Sequence, residues 1–578
     1  MDERQATSSS EKIDHILIAR AQSFLQNKMK DRPLIVQQTT ETFDLLTGWP
    51  IGNRALVAAL LLPLIRSELL SEQDLIMRFG SRPVNLARTV LRLITSDNPV
   101  DGRKKPPQRM FQAEKLRRMF ITAYSDVDAV LVCVADHLAR ASYLNEVSEQ
   151  EQQLWAQENT SVYVPLTEML GLWSYRHVLA DLSLSLTDKA QYEKCESKVT
   201  AYCQRHEMLF SQIAPELLHR LELEGVHDAE INLHETTPAN LYRRQQQSTH
   251  DESAMLRIDV LLETERDCYH ALGIIHNRWS PVNRPISTAS PVSEERFSDT
   301  IAAPRYNGYR CLITTVMADE NRLSPRLAEF RIRTKAMEQV NIRGVLGARI
   351  DPIPVRNAWW NDKAAADLLN ARDTQTLTGD ICVFTGAGEV VYPLRKGTTV
   401  IDLAFKTNPA LAPYIGDIHV NGAAVGHDYE LRHRDLVEMA HDARYPALKP
   451  EWEDFARTSS ARAMIRRFLK QQERSPHHGR ALIDAALARE TEIYEMRYPA
   501  ERAEQTLIRL ARRYLCSSLD TLYLRVAEGE ILAEELANAM IEDELVGHIV
   551  LENGDSWPLD KMQIARTWGH EQGQSDRH

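Results

Sequence analysis

The chain has 578 residues, which corresponds to roughly four folded units at about 150 residues each. Its composition, 43% hydrophobic and 26% charged, excludes a collagen-like, low-complexity or wholly disordered protein. The 69 basic and 81 acidic residues leave a net charge of −12, so any nucleic-acid contact requires a local basic surface.

Cysteine usage and hydropathy together predict a cytoplasmic protein with reduced thiols. The seven cysteines are scattered and form no CxxC pair, a pattern that favours neither disulfides nor a zinc site. The apolar run 55–65 contains Pro63 and is shorter than the ~20 residues that span a bilayer. The N-terminal residues show no signal pattern of basic and then apolar residues.

The first third of the chain predicts helices, and the middle predicts an α/β domain. Apolar residues recur with a period near 3.6 around 55–65 and from Leu116 into the run 129–135. Short strand-like runs at 256–262 and 312–316 then alternate with helical segments, including 267–279, and this alternation is typical of α/β structure.

A small β-rich unit and a second helical region are predicted after a Pro-, Asn- and Asp-rich break at 350–377. Residues 381–391 have the pattern strand, glycine turn, strand, which predicts a hairpin. Further strand-like runs lie at 418–426 and 435–439. A helical pattern extends from Trp452 to about residue 545.

Several segments resemble those of the RelA/SpoT alarmone enzymes, in that family's order. Residues 383–405 resemble its TGS domain, and 457–470 resemble the helical segment that follows. The synthetase domain is resembled by 266–276, 296–309 and 329–334, and the HD-type hydrolase domain by 58–64 and 118–138. The sequence is thus identified as a member of this family, closest to the branch whose HD domain is degenerate.

The resemblance implies a multidomain α plus α/β architecture. We expect a degenerate helical HD-type domain at 1–195, an α/β nucleotidyltransferase-like synthetase domain at 196–350, a linker at 351–377, a β-grasp TGS domain at 378–442, a helical domain at 450–548 and a tail at 549–578.

The resemblance also aligns the hydrolase site, which needs histidine and carboxylate ligands around a metal that activates water. The family's His-Asp pair falls on Leu62–Pro63, and its Glu-Asp pair falls on Arg66–Ser67. Asp136 is the one ligand position that matches. We therefore expect a structural helical domain with no catalytic metal and no hydrolase activity.

The family's synthetase transfers pyrophosphate from ATP to the 3′-hydroxyl of GTP or GDP, which needs phosphate-binding cations, carboxylates on Mg²⁺ and an aromatic under guanine. Tyr309 matches the aromatic. Glu329 matches one of the carboxylates and would be the ligand of any Mg²⁺ bound here. The second carboxylate falls on Ala254, and the ATP-binding Arg-x-Lys falls on His234 and Thr236. The other expected nucleotide-binding residues are Asn307, Arg243, Arg244, Arg296 and Asp299.

Two interpretations follow for this domain. Each lost charge contact is commonly worth about 3–4 kcal/mol at a transition state, which favours guanine-nucleotide binding without turnover. The alternative is an active GTP pyrophosphokinase that uses a displaced acid such as Asp259. A shift of five residues from Ala254 reverses strand facing, so Asp259 would need a bulge or an alignment gap to reach the site. A carboxylate pair of Asp259 and Glu329 that can share an ion would favour the enzyme.

The residues also allow structural roles, with Tyr309 half-buried in a turn and Glu329 on the solvent face of a strand.

A basic helix is predicted from Ser459–Ser460 onward. Met464, Ile465, Phe468 and Leu469 would form its apolar stripe. The basic residues Arg462, Arg466, Arg467 and Lys470 would then bind RNA phosphates, as the family's segment does on the ribosome, or line a solvated face.

The sequence does not decide whether the predicted TGS domain contacts tRNA. The histidine with which the family's TGS domain contacts tRNA falls on Pro413, and His419 and His427 lie nearby without fitting the pattern. The expected partners are a guanine nucleotide, ATP, the ribosome and tRNA, with no membrane.

Overall fold

The computed structural model describes two compact units, which divide between residues 461 and 462. The described residues are 15–68, 70–95, 108–234, 236–247, 255–282, 297–318, 327–350, 358–370, 380–386, 388–441, 447–473, 475–493, 498 and 500–553. Most of the predicted linker and tail lies outside these residues. Across the described ranges, no helix combines the length and apolarity that crossing a membrane requires.

The first unit begins with a helical region that we call the front domain. Helix α3 is buried on nearly every side from Ala55 to Leu64, and α7 is buried from Ala129 to His137, which explains the unbroken apolar runs in the sequence. The helices are α1 (His15–Lys28), α2 (Pro33–Thr47), α3 (Asn53–Arg66), α4 (Glu72–Phe79), α5 (Ser81–Ile94), α6 (Gln108–Ser125), α7 (Val127–Ala141), α8 (Glu149–Glu158), α9 (Val164–Leu170) and α10 (Trp173–Thr187).

The α/β domain follows along a long connecting helix. Helix α11 (Lys189–Leu223) is continuous for 35 residues. The predicted boundary at 195/196 therefore falls inside a helix. Such a helix packs at both ends, since Cys195 and Leu217 are both buried.

A five-stranded mixed sheet forms the α/β domain, in the order β1-β2-β5-β4-β3. Strands β2 and β5 are parallel, and the other pairs are antiparallel. The elements are β1 (Glu230–Leu233), α12 (Pro238–Gln247), β2 (Leu256–Leu262), α13 (Glu265–Arg278), β3 (Phe297–Asp299), β4 (Leu312–Met317), β5 (Leu327–Thr334), α14 (Lys335–Arg343) and α15 (Val345–Ile350).

The front and α/β domains meet through their main chains. Gly171 and Gly344 both have positive φ, +73° and +51°. A Cβ on Gly344 would lie 2.0 Å from the Leu170 carbonyl oxygen, and a Cβ on Gly171 would lie 2.7 Å from Gly344 Cα. Only glycine allows this approach together with this backbone conformation.

A second five-stranded sheet has the order β7-β6-β10-β8-β9, with one helix after its first hairpin. This order agrees with a β-grasp arrangement, and the identity of the unit as a TGS domain stays a prediction. The predicted run 418–426 is a hairpin, because Asn421 and Gly422 have positive φ and break it. The elements are α16 (Lys363–Asn370), β6 (Asp380–Thr385), β7 (Val390–Arg395), α17 (Val400–Thr407), β8 (Ile415–Val420), β9 (Ala423–Val425), β10 (Leu436–His441) and α18 (Trp452–Phe455).

This second sheet packs on the front domain. The rings of Phe120 and Phe384 lie 5.5 Å apart between centroids. Gly388 has φ +84°, and a Cβ there would lie 2.7 Å from Met169 Cβ.

The second unit is helical, as predicted. Its core includes Ile483, Leu510, Leu522 and Leu536. The helices are α19 (Ser459–Glu473), which begins in the first unit, α20 (Pro476–Ile493), α21 (Ala500–Arg513), α22 (Leu519–Ala527) and α23 (Ala533–Asn553).

Candidate functional site

One face of the α/β sheet is charged and the other is apolar. Residues 256, 258 and 260 of β2 are buried apolar side chains, as are 328, 330 and 332 of β5. The parallel register pairs Arg257 with Glu329 and Asp259 with Arg331, which places these four and Arg333 on the opposite side. We call these five residues the charged face.

The position of Asp259 corrects the sequence expectation. Counting from Ala254 placed Asp259 on the opposite side of the strand from the catalytic carboxylates. Strand β2 begins only at Leu256, so the alternation of sides cannot be counted from Ala254, and β2 pairs with β5 without a bulge. Asp259 shares its face with Glu329 but lies directly across from Arg331, so the two acids are diagonal neighbours. Ala254 itself lies outside the described residues.

Asp259 is held by a histidine and an arginine. Its carboxylate accepts from His234 Nδ1 and from Arg333 Nη1, each at 2.8 Å. Burial alone would raise the pKa of Asp259, but the hydrogen bond from His234 and the charge of Arg333 take the pKa well below its ordinary value. Asp259 is thus a fixed carboxylate with both oxygens engaged.

Glu329 is held by two other arginines. Its Oε1 lies 2.7 Å from Arg331 Nε and 3.6 Å from Arg257 Nε. The side chain is 13% exposed, so it occupies neither the solvent face of a strand nor an open position for a cation. In the described part of the chain, no group of three or more His, Cys, Asp or Glu side chains is arranged to hold a metal ion.

His234, which aligns with a phosphate-binding arginine, is neutral. Burial lowers its pKa, with Asp259 acting in the opposite direction. Its Nε2 lies 3.2 Å from Arg331 Nη1, an N–H donor, so we assign the proton of the ring to Nδ1, which donates to Asp259.

Arg333 completes the network on the side of α14. It makes two hydrogen bonds to the Glu338 carboxylate as well as its bond to Asp259. Burial would lower the pKa of Arg333, but Glu338 and Asp259 raise it above its ordinary value. The guanidinium is therefore permanently charged and geometrically fixed.

The Asn-Gly-Tyr turn lies beside the charged face. Gly308 has φ +78°, and a Cβ there would overlap the ring of Trp360. Asn307 is buried: its Nδ2 donates to the Glu168 carbonyl, and its Oδ1 accepts from the Tyr309 backbone N–H. Asn307 thus fixes the turn against the front domain.

Tyr309 is half-buried, with a cation on its ring. The Arg305 guanidinium carbon lies 5.4 Å from the ring centroid. Burial raises the pKa of the Tyr309 hydroxyl above its ordinary value, so the phenol is neutral. Arg305 lies over one face of the ring, so a planar base would stack on the other face.

Two further predicted nucleotide-binding residues, Arg243 and Asp299, are bound to other protein groups. Arg243 Nη1 lies 3.4 Å from the Glu168 carboxylate. Asp299 accepts from the Tyr269 hydroxyl and from the backbone N–H groups of 301 and 302. Arg296 and the Arg244 side chain lie outside the described residues.

The aligned hydrolase positions surround one cavity, which we call the front cavity. It has a volume of about 110 Å³ and is lined by Arg32, Ile35, Gln38, Thr39, Thr42, Ala59, Leu62, Pro63, Arg66, Ser67 and Asp136. Asp136 is bonded to Arg140 at 2.8 Å. The acid at the matching ligand position is thus already paired with a cation.

The predicted RNA- and tRNA-linked residues occupy separate places. In α19, Arg466, Arg467 and Lys470 are exposed and Arg462 is half-exposed. In the loop between β9 and β10, the centroid of the His427 ring lies 4.6 Å from that of the Trp452 ring, with the two planes tilted by 32°. His419 is half-buried in β8, and Pro413 is buried.

The sequence analysis did not identify the arginines that form ion pairs with Asp259 and Glu329. Arg331 and Arg333 alternate with buried Phe330 and Ile332, a pattern that puts both cations on the face of Glu329. That alternation was the available signal.

Two family models match the chain. An HD domain matches residues 16–173, and the region found in RelA and SpoT proteins matches residues 238–348. The charged face and the front cavity both fall within the matched segments.

Curated relatives match over most of the chain. A probable guanosine-3′,5′-bis(diphosphate) 3′-pyrophosphohydrolase of Synechocystis is 27% identical over 75% of this chain and 57% of its own length. The pyrophosphohydrolase of Aquifex aeolicus is 27% identical over 81% and 67%. A GTP pyrophosphokinase of Myxococcus xanthus is 25% identical over 87% and 66%. The chain thus spans between 57 and 67% of the length of these three relatives.

Proposed function

This chain belongs to the RelA/SpoT family, and from that premise we propose that it acts in guanosine-3′,5′-bis(diphosphate) metabolism as a nucleotide-binding member without synthetase or hydrolase turnover. The observation that carries the proposal is the charged face, where Asp259 and Glu329 are each bound to arginine.

Loss of synthesis follows from the charges on this face. Mg²⁺ binds through carboxylate oxygens, but Glu329 Oε1 is 2.7 Å from one guanidinium, and Arg257 and Arg331 would repel the ion. Neutral His234 provides no full positive charge for ATP phosphates. Both requirements of phosphoryl-group transfer, metal and cations on the phosphates, are therefore weakened.

Loss of hydrolysis follows from the front cavity. Its one lining carboxylate, Asp136, is neutralised by Arg140, and Arg66 adds a positive charge beside it. A water-activating divalent metal needs several neutral or anionic ligands, and this lining offers it net repulsion.

Guanine-nucleotide binding is proposed at Tyr309. The supporting observation is a half-buried ring on a turn that Gly308 and Asn307 fix against Trp360 and Glu168. A preorganised ring loses little freedom when a base stacks on it.

The test of turnover is a thin-layer assay of the purified protein with ATP, GTP or GDP, and Mg²⁺. We expect no product above background, with or without ribosomes and deacylated tRNA. Robust synthesis that Glu329→Gln abolishes would overturn the proposal and support the active GTP pyrophosphokinase. Glu222→Gln, at an exposed position of α11, is the matched control.

A gain-of-function variant asks which lost charge matters. Ala254→Asp restores the carboxylate that the family has at this position. Synthesis by this variant, from an inactive parent, would identify the missing Mg²⁺ ligand as the cause. No synthesis would point to the arginines of the charged face.

The test of binding is calorimetry with GDP. Tyr309→Ala should weaken binding by about tenfold or more, since stacking contributes about 1–3 kcal/mol per base. Tyr309→Phe keeps the ring and should bind like wild type. No heat from wild type at millimolar GDP would refute the retained pocket.

Ribosome contact is proposed for the exposed cations of α19, because such a stripe can bind RNA phosphates on an acidic protein. Replacing Arg466, Arg467 and Lys470 by Gln should reduce the amount of protein that cosediments with ribosomes. The same change should make the remaining ribosome binding less dependent on salt concentration. Replacing Arg512 and Arg513, exposed cations of α21, is the control. Equal loss in both variants would contradict a specific role for α19.

A further inference from the structure

Two helices of the front domain bring three cations onto a pair of aromatic rings. The rings of Phe24 in α1 and Phe79 in α4 meet edge to face, with 5.5 Å between their centroids. The Arg20 guanidinium carbon lies 5.3 Å from the centroid of the Phe79 ring. The Arg78 guanidinium carbon lies 5.4 Å from the Phe24 centroid, and Lys28 Nζ lies 5.9 Å from it. We call these five residues the cationic patch.

The patch is continuous because of the spacing of its residues in α1. Arg20, Phe24 and Lys28 follow one another at intervals of four residues, so they share one face of the helix. At a rise of about 1.5 Å per residue, the two cations of α1 are about 12 Å apart along the helix axis. All three cations are exposed, whereas Phe79 is buried and Phe24 is half-buried. The rings thus hold cations that face the solvent.

No acid in the described part of the chain neutralises the patch. Its three cations form no ion pair and no hydrogen bond with any described residue. Helix α1 contains no acid. The two acids of α4 are engaged elsewhere, since Glu72 pairs with Arg88 at 2.9 Å and Asp74 accepts from the Ser71 hydroxyl at 2.6 Å. On a chain with a net charge of −12, this uncompensated surface attracts a partner of negative charge.

The rings and their surroundings indicate which kind of anion fits. Proteins that bind single-stranded nucleic acids stack the bases on open aromatic faces. Here Phe79 is buried and cations lie over both rings, so the patch offers no open ring face of this kind. Ile16 precedes Arg20 by four residues on the same face of α1 and is 81% exposed. Carboxylates next to apolar side chains match this surface better than a nucleotide chain does.

We propose that the cationic patch binds an acidic amphipathic helix of a partner protein, which lies along α1. Acids at every fourth position of such a helix recur about every 6 Å, the same interval as the four-residue steps from Arg20 to Lys28. Guanidinium groups form paired, charge-assisted hydrogen bonds with carboxylates, and an apolar side chain of the partner would cover Ile16. None of the patch residues lines the front cavity, so the proposal does not depend on the proposed nucleotide function.

The experiment is fluorescence anisotropy on the full-length protein with a labelled synthetic helical peptide that has Glu at every fourth position, next to Leu. A second peptide has Gln in place of each Glu, and a labelled oligouridine tests the nucleic-acid alternative. Arg20→Gln and Arg78→Gln each remove one cation from the patch. Arg512→Gln removes an exposed cation of α21 and is the matched control.

We expect the Glu peptide to bind wild type with a Kd of about 100 μM or tighter, and the Gln peptide to bind about tenfold more weakly or less. Arg20→Gln and Arg78→Gln should each weaken binding of the Glu peptide by about threefold or more, which is the scale of one exposed ion pair. Arg512→Gln should leave the affinity unchanged. Added salt should weaken binding to wild type, because the contacts are exposed charges.

Three results would overturn the proposal. The first is that the Glu peptide binds no better than the Gln peptide, a comparison that uses wild type alone and stands even where a variant does not fold. The second is that both patch variants bind the Glu peptide with the affinity of Arg512→Gln, which would place the peptide elsewhere. The third is oligouridine binding that is tighter than peptide binding and is lost in the patch variants, which would assign the patch to nucleic acid.

Discussion

Replacing Asp259 by Asn tests whether the charged face is a fixed ion-pair network. The carboxylate is 13% exposed and holds His234 and Arg333 at 2.8 Å each. Removing one partner of a buried pair costs about 3–5 kcal/mol. Arg333 keeps Glu338, and Asn keeps one oxygen acceptor, so we expect a loss of about 2–4 kcal/mol.

Hydrogen exchange of the full-length protein measures this loss where it occurs. The amides of β2 and β5 should exchange about 30-fold faster or more, since each 1.4 kcal/mol is a factor of ten. Asp417→Asn, at an exposed residue of the second sheet, should change stability by less than about 0.5 kcal/mol. Exchange in β2 and β5 that Asp259→Asn leaves at the level of this control would show that the network is not held in solution.

Three further predictions concern pH, the domain contact and a helix cap. Burial lowers the pKa of His234 below 6.5. The neutral ring therefore contributes its full stability above pH 6.5, and this contribution is lost as the pH falls towards the pKa of the folded state. His234→Gln should flatten this part of the dependence of stability on pH, measured as urea midpoints between about pH 7.5 and 5. Gly344→Ala should lower the melting temperature, because its Cβ would lie 2.0 Å from a front-domain carbonyl oxygen, whereas Gly273→Ala, in a helix with open space around it, should keep or raise it. Asp402 accepts from its own helix N-terminus and from the Thr458 N–H and hydroxyl, so Asp402→Ala should expose the segment before α19 to limited proteolysis, and unchanged cleavage would contradict this cap.

Local patterns predicted strands β2 and β4 and helix α13 of the α/β domain. The run 256–262 is strand β2, and 312–316 falls within β4, because β-branched and apolar residues there are bounded by polar segments. The predicted helix 267–279 begins two residues earlier, at Glu265, where Thr264 and Asp267 form a capping box. These features depend on residues that are close together in the sequence, so they can be predicted from the sequence alone.

The chemistry of the charged face could be predicted only in part. Glu329 was identified, but its state depends on Arg257, which is distant in sequence and adjacent in space. His234 meets Asp259 across 25 residues and Arg331 across 97. Such contacts are set by strand order and register, which a single sequence does not specify.

The predicted boundary at 195/196 falls inside helix α11 for a related reason. Composition changes near residue 225, but α11 runs without interruption from Lys189 to Leu223. A helix that connects two domains has the same periodicity throughout, so no local break marks the transition.

The contact between Gly171 and Gly344 joins the front and α/β domains through main-chain atoms and leaves no room for a side chain at either position. Main-chain atoms meet there, and the flanking residues 172 and 343 are joined by a β-bridge of backbone groups. None of the residues that line the front cavity belongs to this junction, so we expect that a front domain without hydrolase ligands still supports the Asn-Gly-Tyr turn.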